Sequence, residues 1–201
     1  MEKLYRRAMI LAWVTVLYNL IEGAVSIAVA YLAGSIALKG FGLDSFIESL
    51  SGRVVIWRLR LHGRVSAEEE ERLERRAARL VGITFFILAA DVLYESAHRL
   101  LAREAAEPTL FGIAIAAVSI ALMVPLFYAK FRTGSAVGSR SLVADSKETL
   151  ACAFLSVVLL VGLGANYLWR IWWADPAAGV VIAVWLVREG WETLRGEEDE
   201  Q

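Results

Sequence analysis

The chain is poor in cysteine, histidine and proline: its 201 residues contain one cysteine, two histidines and three prolines. The lone Cys152 excludes an intrachain disulfide and any paired-cysteine metal knuckle. An excess of one charge is also lacking. The net charge of −1 gives no polyelectrolyte signal, so nucleic acid is not an expected partner. With so few prolines, helices can run long. Pro108 and Pro176 fall where spans should begin, positions that tolerate a missing amide, and Pro125 alone sits inside one, where a kink is expected.

Apolar sequence is abundant. Hydrophobic residues make up 58% of the chain, against about 45–50% in a soluble domain, and the mean hydropathy is +0.54. A helical membrane crossing needs about 20 mostly apolar residues. Six stretches meet that length: about 8–33, 36–57, 80–101, 109–130, 140–163 and 172–190. The basic start "MEKLYRRAMILAWV" has the look of a signal peptide, but its apolar run continues to Ala33, too long for one, and reads as the first span. The expected fold is an all-α membrane protein, a bundle of six transmembrane helices over residues 1–190. Residues 191–201 should form a short acidic cytoplasmic tail, with no folded cytoplasmic domain after it.

Short joints separate the spans: "AGS", "REAAEPT", "RTGSAVGS" and "LGANYLWRIW". The long connection, residues 58–80, is densely charged and reads as a solvated helical extension of span three, laced by pairs such as Glu68–Arg72 and Glu71–Arg75. His62, in the same connection, reads as a surface residue. Lysine and arginine favour one side. With the N-terminus in the cytoplasm, fifteen of them lie inside, including Lys130, and four outside (Lys39, Arg99, Arg103 and Arg170), with Arg53 and Lys147 left within spans. Both termini are therefore expected in the cytoplasm, in an inner or plasma membrane. Trp169, Trp172 and Trp173 suit an interfacial belt, and the glycines of "GSIALKGFG" and "AGVV" suit close helix approach.

Charge inside a span costs roughly 2.5–3.5 kcal/mol per residue on insertion scales, so such residues need a purpose. Span two carries Asp44 and Glu48, one helical turn apart on one face. Span five carries Asp145, Glu148 and Cys152 along one stripe. Two helices, each offering ligands four residues apart (Asp44 with Glu48, Glu148 with Cys152), can close a four-ligand shell on a divalent cation. Mixed oxygen and sulfur in a tetrahedron suits Zn²⁺; carboxylates without histidine also suit harder ions such as Mn²⁺. The bland alternative pairs these acids with Arg53 and Lys147 and holds helices together. Asp145, Glu22 in span one, and Asp91 and Glu95 in span three are accessory candidates. With His98, the last two form a stripe that reads equally as an ion-guiding mouth or as polar packing.

These residues are where the chain resembles the cation diffusion facilitator family. "GLDSFIES" resembles that family's helix-two metal motif, "ADSKETLAC" its helix-five segment, "YESAHRLL" its helix-three end and "WWADPAAGVVIA" its Trp-x-Asp-Pro start of helix six. The resemblance covers about residues 8–190. It implies a metal site at Asp44, Glu48, Glu148 and Cys152, and a transporter rather than an enzyme. The Glu and Cys depart from the family's usual helix-five pair of His or Asp followed by Asp. The family's His-rich loop has no counterpart between spans four and five, and its soluble C-terminal domain is expected to be absent, as in a short, tail-less branch. The expected function is efflux of a divalent cation, Zn²⁺ first and Mn²⁺, Fe²⁺ or Cd²⁺ as alternatives, by proton antiport and alternating access. A lipid bilayer surrounds it and a homodimer is expected. The competing readings are a non-transporting metal-binding scaffold or regulator, and a cation channel.

Overall fold

A computed structural model describes residues 2–61, 67–104, 106–107 and 109–195. Its elements are six helices: α1 (Glu2–Ala33), α2 (Ile36–Leu61), α3 (Ala67–Ala102), α4 (Leu110–Val137), α5 (Arg140–Trp169) and α6 (Ala174–Arg195). There is no strand among the described residues. Three of the helices, over Lys3–Ala33, Leu110–Val137 and Asp145–Trp169, are long and apolar enough to cross a membrane. The charges of spans two, three and five lead one to expect weaker hydropathy there; α2 and α3 follow that expectation, whereas α5 is apolar enough to cross and α6 is not.

Each expected span has its helix, but the joints are shorter than the sequence suggests. α4 continues through "RTGSAV" to Val137, and most of "LGANYLWRIW" belongs to α5. The actual stops are local. Gly138 closes α4 in the left-handed conformation (φ 73°), and Ser139 opens α5 by accepting a hydrogen bond from Leu142 N. Arg170 closes α5 in the same left-handed way, its amide returning to the Asn166 carbonyl. α6 extends through residues 191–195, expected to begin the tail; residues 196–201, His62 and Pro108 lie outside the described residues. α3 begins at Ala67, so the charged connection is helical as expected from there onward; the side chains of its Glu–Arg pairs lie outside the described residues.

α1 packs chiefly on α2, α4 on α5 and α3 on α6, while α2 also meets α3, α5 and α6. Glycine makes the tightest of these crossings. A Cβ on Gly42 would stand 2.9 Å from Ser26 Cβ and 3.1 Å from the Gly23 carbonyl, so α1 and α2 meet backbone to backbone.

The packing is inverted relative to a soluble protein. Tyr31, Leu32, Leu101, Phe111 and Val161 face outward, whereas Glu22, Asp44, Glu48, Lys130, Asp145 and Asp175 are buried. Apolar outside and polar inside is what a hydrocarbon surrounding requires, and the protein is an integral membrane protein. Its larger apolar core includes Phe41, Val92, Met123, Leu159 and Ile182. A smaller one, of Ala8, Ala12, Val16, Val55, Ile56 and Leu142, lies toward the other end of α2. Along α2 the acids fall between Phe41 and Val55.

Candidate functional site

The seat of α2 is fixed by two other helices. Asp175, in the first turn of α6, accepts from the Ser35 hydroxyl through Oδ1 and from Ile36 N through Oδ2 (2.9 Å). Ser35 in turn caps the helix by accepting from Leu38 N (3.1 Å). Arg99, at the end of α3, donates to the Gly34 carbonyl. The Trp-x-Asp-Pro segment therefore supplies the cap of α2, and this sets the depth at which the α2 acids sit.

Two turns further along α2, Asp44 and Glu48 are 8% and 5% exposed. Together with Glu148 of α5 they line one small cavity, shared with Ser51, Trp185 and Glu189. Its volume is 20 Å³, on a measure where one water needs roughly 10–15 Å³. That is room for one water or one bare ion. Glu48 Oε2 and Glu148 Oε2 have no hydrogen-bond partner. Among the described residues, no three His, Cys, Asp or Glu side chains converge closely enough to hold a metal ion as placed: the carboxylates ring the cavity and do not close on its centre.

Of the four residues expected to form the shell, three therefore share the cavity, and Cys152 does not line it. Cys152 is buried close to Glu48, with Glu22 and Asp44 also near it. Glu22 itself has both oxygens engaged, with Tyr18 Oη donating to Oε1 (2.8 Å) and Ser45 Oγ to Oε2 (3.1 Å). It ties α1 to α2 beside the cavity.

Asp145 is drawn away from the shell by a cation the sequence reading placed elsewhere. The lysine and arginine bias puts Lys130 at the cytoplasmic end of span four. Because α4 runs two turns beyond it, Lys130 lies fully buried, its Nζ 2.7 Å from Asp145 Oδ2. The pairing with Arg53 and Lys147 considered for the acids is not the arrangement found: both side chains are exposed. Lys130 also donates to Thr149 Oγ1 (2.7 Å), and Thr149 donates to Glu48 Oε1 (3.1 Å). A legible signal existed. Gly112, Ala116, Ser119, Met123 and Lys130 are all buried, and their spacing of four, three, four and seven residues is one helical stripe.

The outer stripe of α3 resolves toward polar packing. Asp91 and Glu95 both take Lys39 of α2, at 3.0 and 2.7 Å, and His98 stacks on Tyr94. Glu189, by contrast, was not singled out in the sequence. It stands near the end of α6 among other charges, and only the crossing of α6 brings it to the cavity.

Residues 12–197 match the cation efflux transmembrane domain. The chain belongs to the cation efflux family. Among its relatives, transmembrane protein 163 of Xenopus laevis is 23% identical over 94% of this chain and 66% of its own length. An uncharacterized transporter of Synechocystis is 25% identical over 82% of this chain and 54% of its own. The manganese efflux system protein MneS of Bacillus subtilis is 21% identical over 92% of this chain and 64% of its own. The chain thus spans between about half and two thirds of these relatives. In this cation efflux domain, the helix-two and helix-five positions read from the motifs fall on Asp44, Glu48 and Glu148 around the cavity, and on Cys152 beside it.

Proposed function

We propose that the protein carries a divalent metal cation across a membrane, its six helices all spanning the bilayer, with Asp44, Glu48 and Glu148 as the cargo ligands between α2 and α5. The observation that carries this reading is an ion-sized cavity lined by carboxylates from three helices, in which Glu48 and Glu148 each keep an oxygen without a partner. A buried polar atom left unpaired costs about 1–3 kcal/mol, and an arriving cation recovers that cost. The lysine and arginine bias supports cytoplasmic termini, and membership of the cation efflux family supports export. Metal binding needs ionised ligands and so releases protons, which supports antiport by alternating access around the site.

The oxygen-only polar lining favours a hard ion such as Mn²⁺, and one relative's name is a manganese efflux protein. Zn²⁺ remains the second reading, favoured by the position of Cys152 beside Glu48, from which a thiolate could join the shell. A homodimer belongs to the same proposal on family resemblance, and cross-linking in bilayers tests it.

The deciding experiment is Mn²⁺ and Zn²⁺ flux in proteoliposomes under an imposed pH gradient. Flux that is coupled to the gradient and lost on joint replacement Asp44→Ala and Glu48→Ala is the expected result. Unchanged flux in that variant rules out the site. Flux indifferent to the gradient indicates a channel, and metal-dependent stability without flux indicates a scaffold.

A further inference from the structure

Of the two oxygens of Glu48, one is held and one is not. Holding the first takes a chain of groups from three helices. It starts at Lys130, whose ammonium stands 2.7 Å from Asp145 Oδ2, 2.7 Å from Thr149 Oγ1 and 3.5 Å from the Asp145 carbonyl. The polar contacts of the lysine are thereby all on α5, two as hydrogen bonds and one as an ion pair. Thr149 has one proton left to give, and two acceptors stand 3.1 Å away: Glu48 Oε1 and the Asp145 carbonyl. The carbonyl is neutral and already receives Lys130. A carboxylate makes the stronger, charge-assisted bond, so the chain runs from Lys130 through Thr149 to Glu48 Oε1. Glu48 Oε2 has no partner, and Glu48 lines the cavity.

An ammonium ion buried to 0% exposure has its close ion-pair partner in Asp145. The link to Thr149 is separate from that ion pair; it polarises a hydroxyl against one arm of a carboxylate on a different helix. We propose that Lys130 and Thr149 are positioning residues for Glu48, locking its side chain through Oε1 so that Oε2 is the atom that meets the cargo cation. This rests on the reading of Glu48 as a cargo ligand. It assigns α4, which contributes no side chain to the cavity lining, a part in metal affinity. A network that served helix packing alone would affect stability and leave affinity where it was.

The test titrates Mn²⁺, and separately Zn²⁺, into the purified full chain by calorimetry, beside a thermal unfolding scan. Thr149→Val keeps the shape and removes the hydroxyl. It is expected to weaken binding roughly ten- to a hundredfold, the range for partners that orient a metal ligand, with little change in the unfolding midpoint, and Thr149→Ser is expected to restore the affinity. Lys130→Met combined with Asp145→Asn removes the charge pair without stranding either charge, and is expected to weaken binding as Thr149→Val does. Should the double variant not fold, the valine and serine variants decide alone. Wild-type affinity in Thr149→Val overturns the proposal, as does a Thr149→Ser variant equally weak, which makes the lost methyl packing the cause. Glu48→Gln is the control: if it abolishes binding while Thr149→Val does not, Glu48 is a ligand that is not positioned this way. If Glu48→Gln also binds normally, the ligand assignment itself is wrong.

Discussion

Buried charge occurs at two levels of this bundle, and the two are finished differently. At the α1–α2 corner, Asp175 spends one oxygen on Ser35 and the other on Ile36 N, while Arg99 takes the Gly34 carbonyl. Along the middle of α2 and α5, Lys130 forms an ion pair with Asp145 and Thr149 donates to one oxygen of Glu48, but Glu48 Oε2, Glu148 Oε2 and both oxygens of Asp145 have no hydrogen-bond partner. Both levels are withdrawn from solvent, so desolvation does not separate them; completeness does. A polar cluster with every atom paired serves the architecture. One that leaves paid-for carboxylate oxygens around an ion-sized cavity is stabilised only when something else arrives.

The comparison is broken most severely at the cavity. Glu148→Gln removes a carboxylate whose Oε2 has no hydrogen-bond partner, so divalent cation binding is expected to collapse while the thermal midpoint in detergent holds or rises. A falling midpoint, with affinity retained, would make Glu148 an architectural residue like Asp175. Asp175→Ala should do the reverse: it strips the cap from α2 and leaves Ser35 and Ile36 N unpaired, costing about 2–3 kcal/mol. The readout is a lowered unfolding midpoint in metal-free protein. A smaller effect is expected of Cys152→Ser, which should leave Mn²⁺ affinity nearly unchanged because the thiol does not line the cavity. A large loss of Zn²⁺ binding in that variant, seen by calorimetry, would admit sulfur to the shell. Least of all should come from Lys39→Ala. Its pair with Asp91 and Glu95 is about a third to a half exposed, and such pairs contribute about 0.2–1 kcal/mol, an effect that should shrink further as salt is raised in the unfolding assay.

The helices and the α2 acids were legible because both signals are local. A run of apolar residues states its own length, and a spacing of four states its own face. The joints were less legible, since "RTGSAV" and "LGANYL" carry turn-forming residues that α4 and α5 nonetheless absorb. Each helix ends where a left-handed residue, Gly138 or Arg170, turns the chain. Lys130 was misplaced for the same reason: with α4 taken to end beside it, the lysine seemed to stand at a mouth. Glu189 offered no acid-spacing signal, because the other acids at the cavity come from helices far away in sequence.

The amino-acid sequence by itself determined that this is a six-helix membrane protein, and that Asp44 with Glu48, and Glu148 with Cys152, each share a helix face. Periodicity and hydropathy are properties of a single segment, and they need no partner to be read. Only the tertiary structure decided which acids look into the same cavity, that Cys152 stands beside it, that Asp145 is held by Lys130, and that Glu189 joins from α6. Those relations depend on how far each helix slides and turns against its neighbours. That choice is made by small residues such as Gly23 and Gly42 at the crossings and by the Asp175 cap at the corner, acting on all six helices at once.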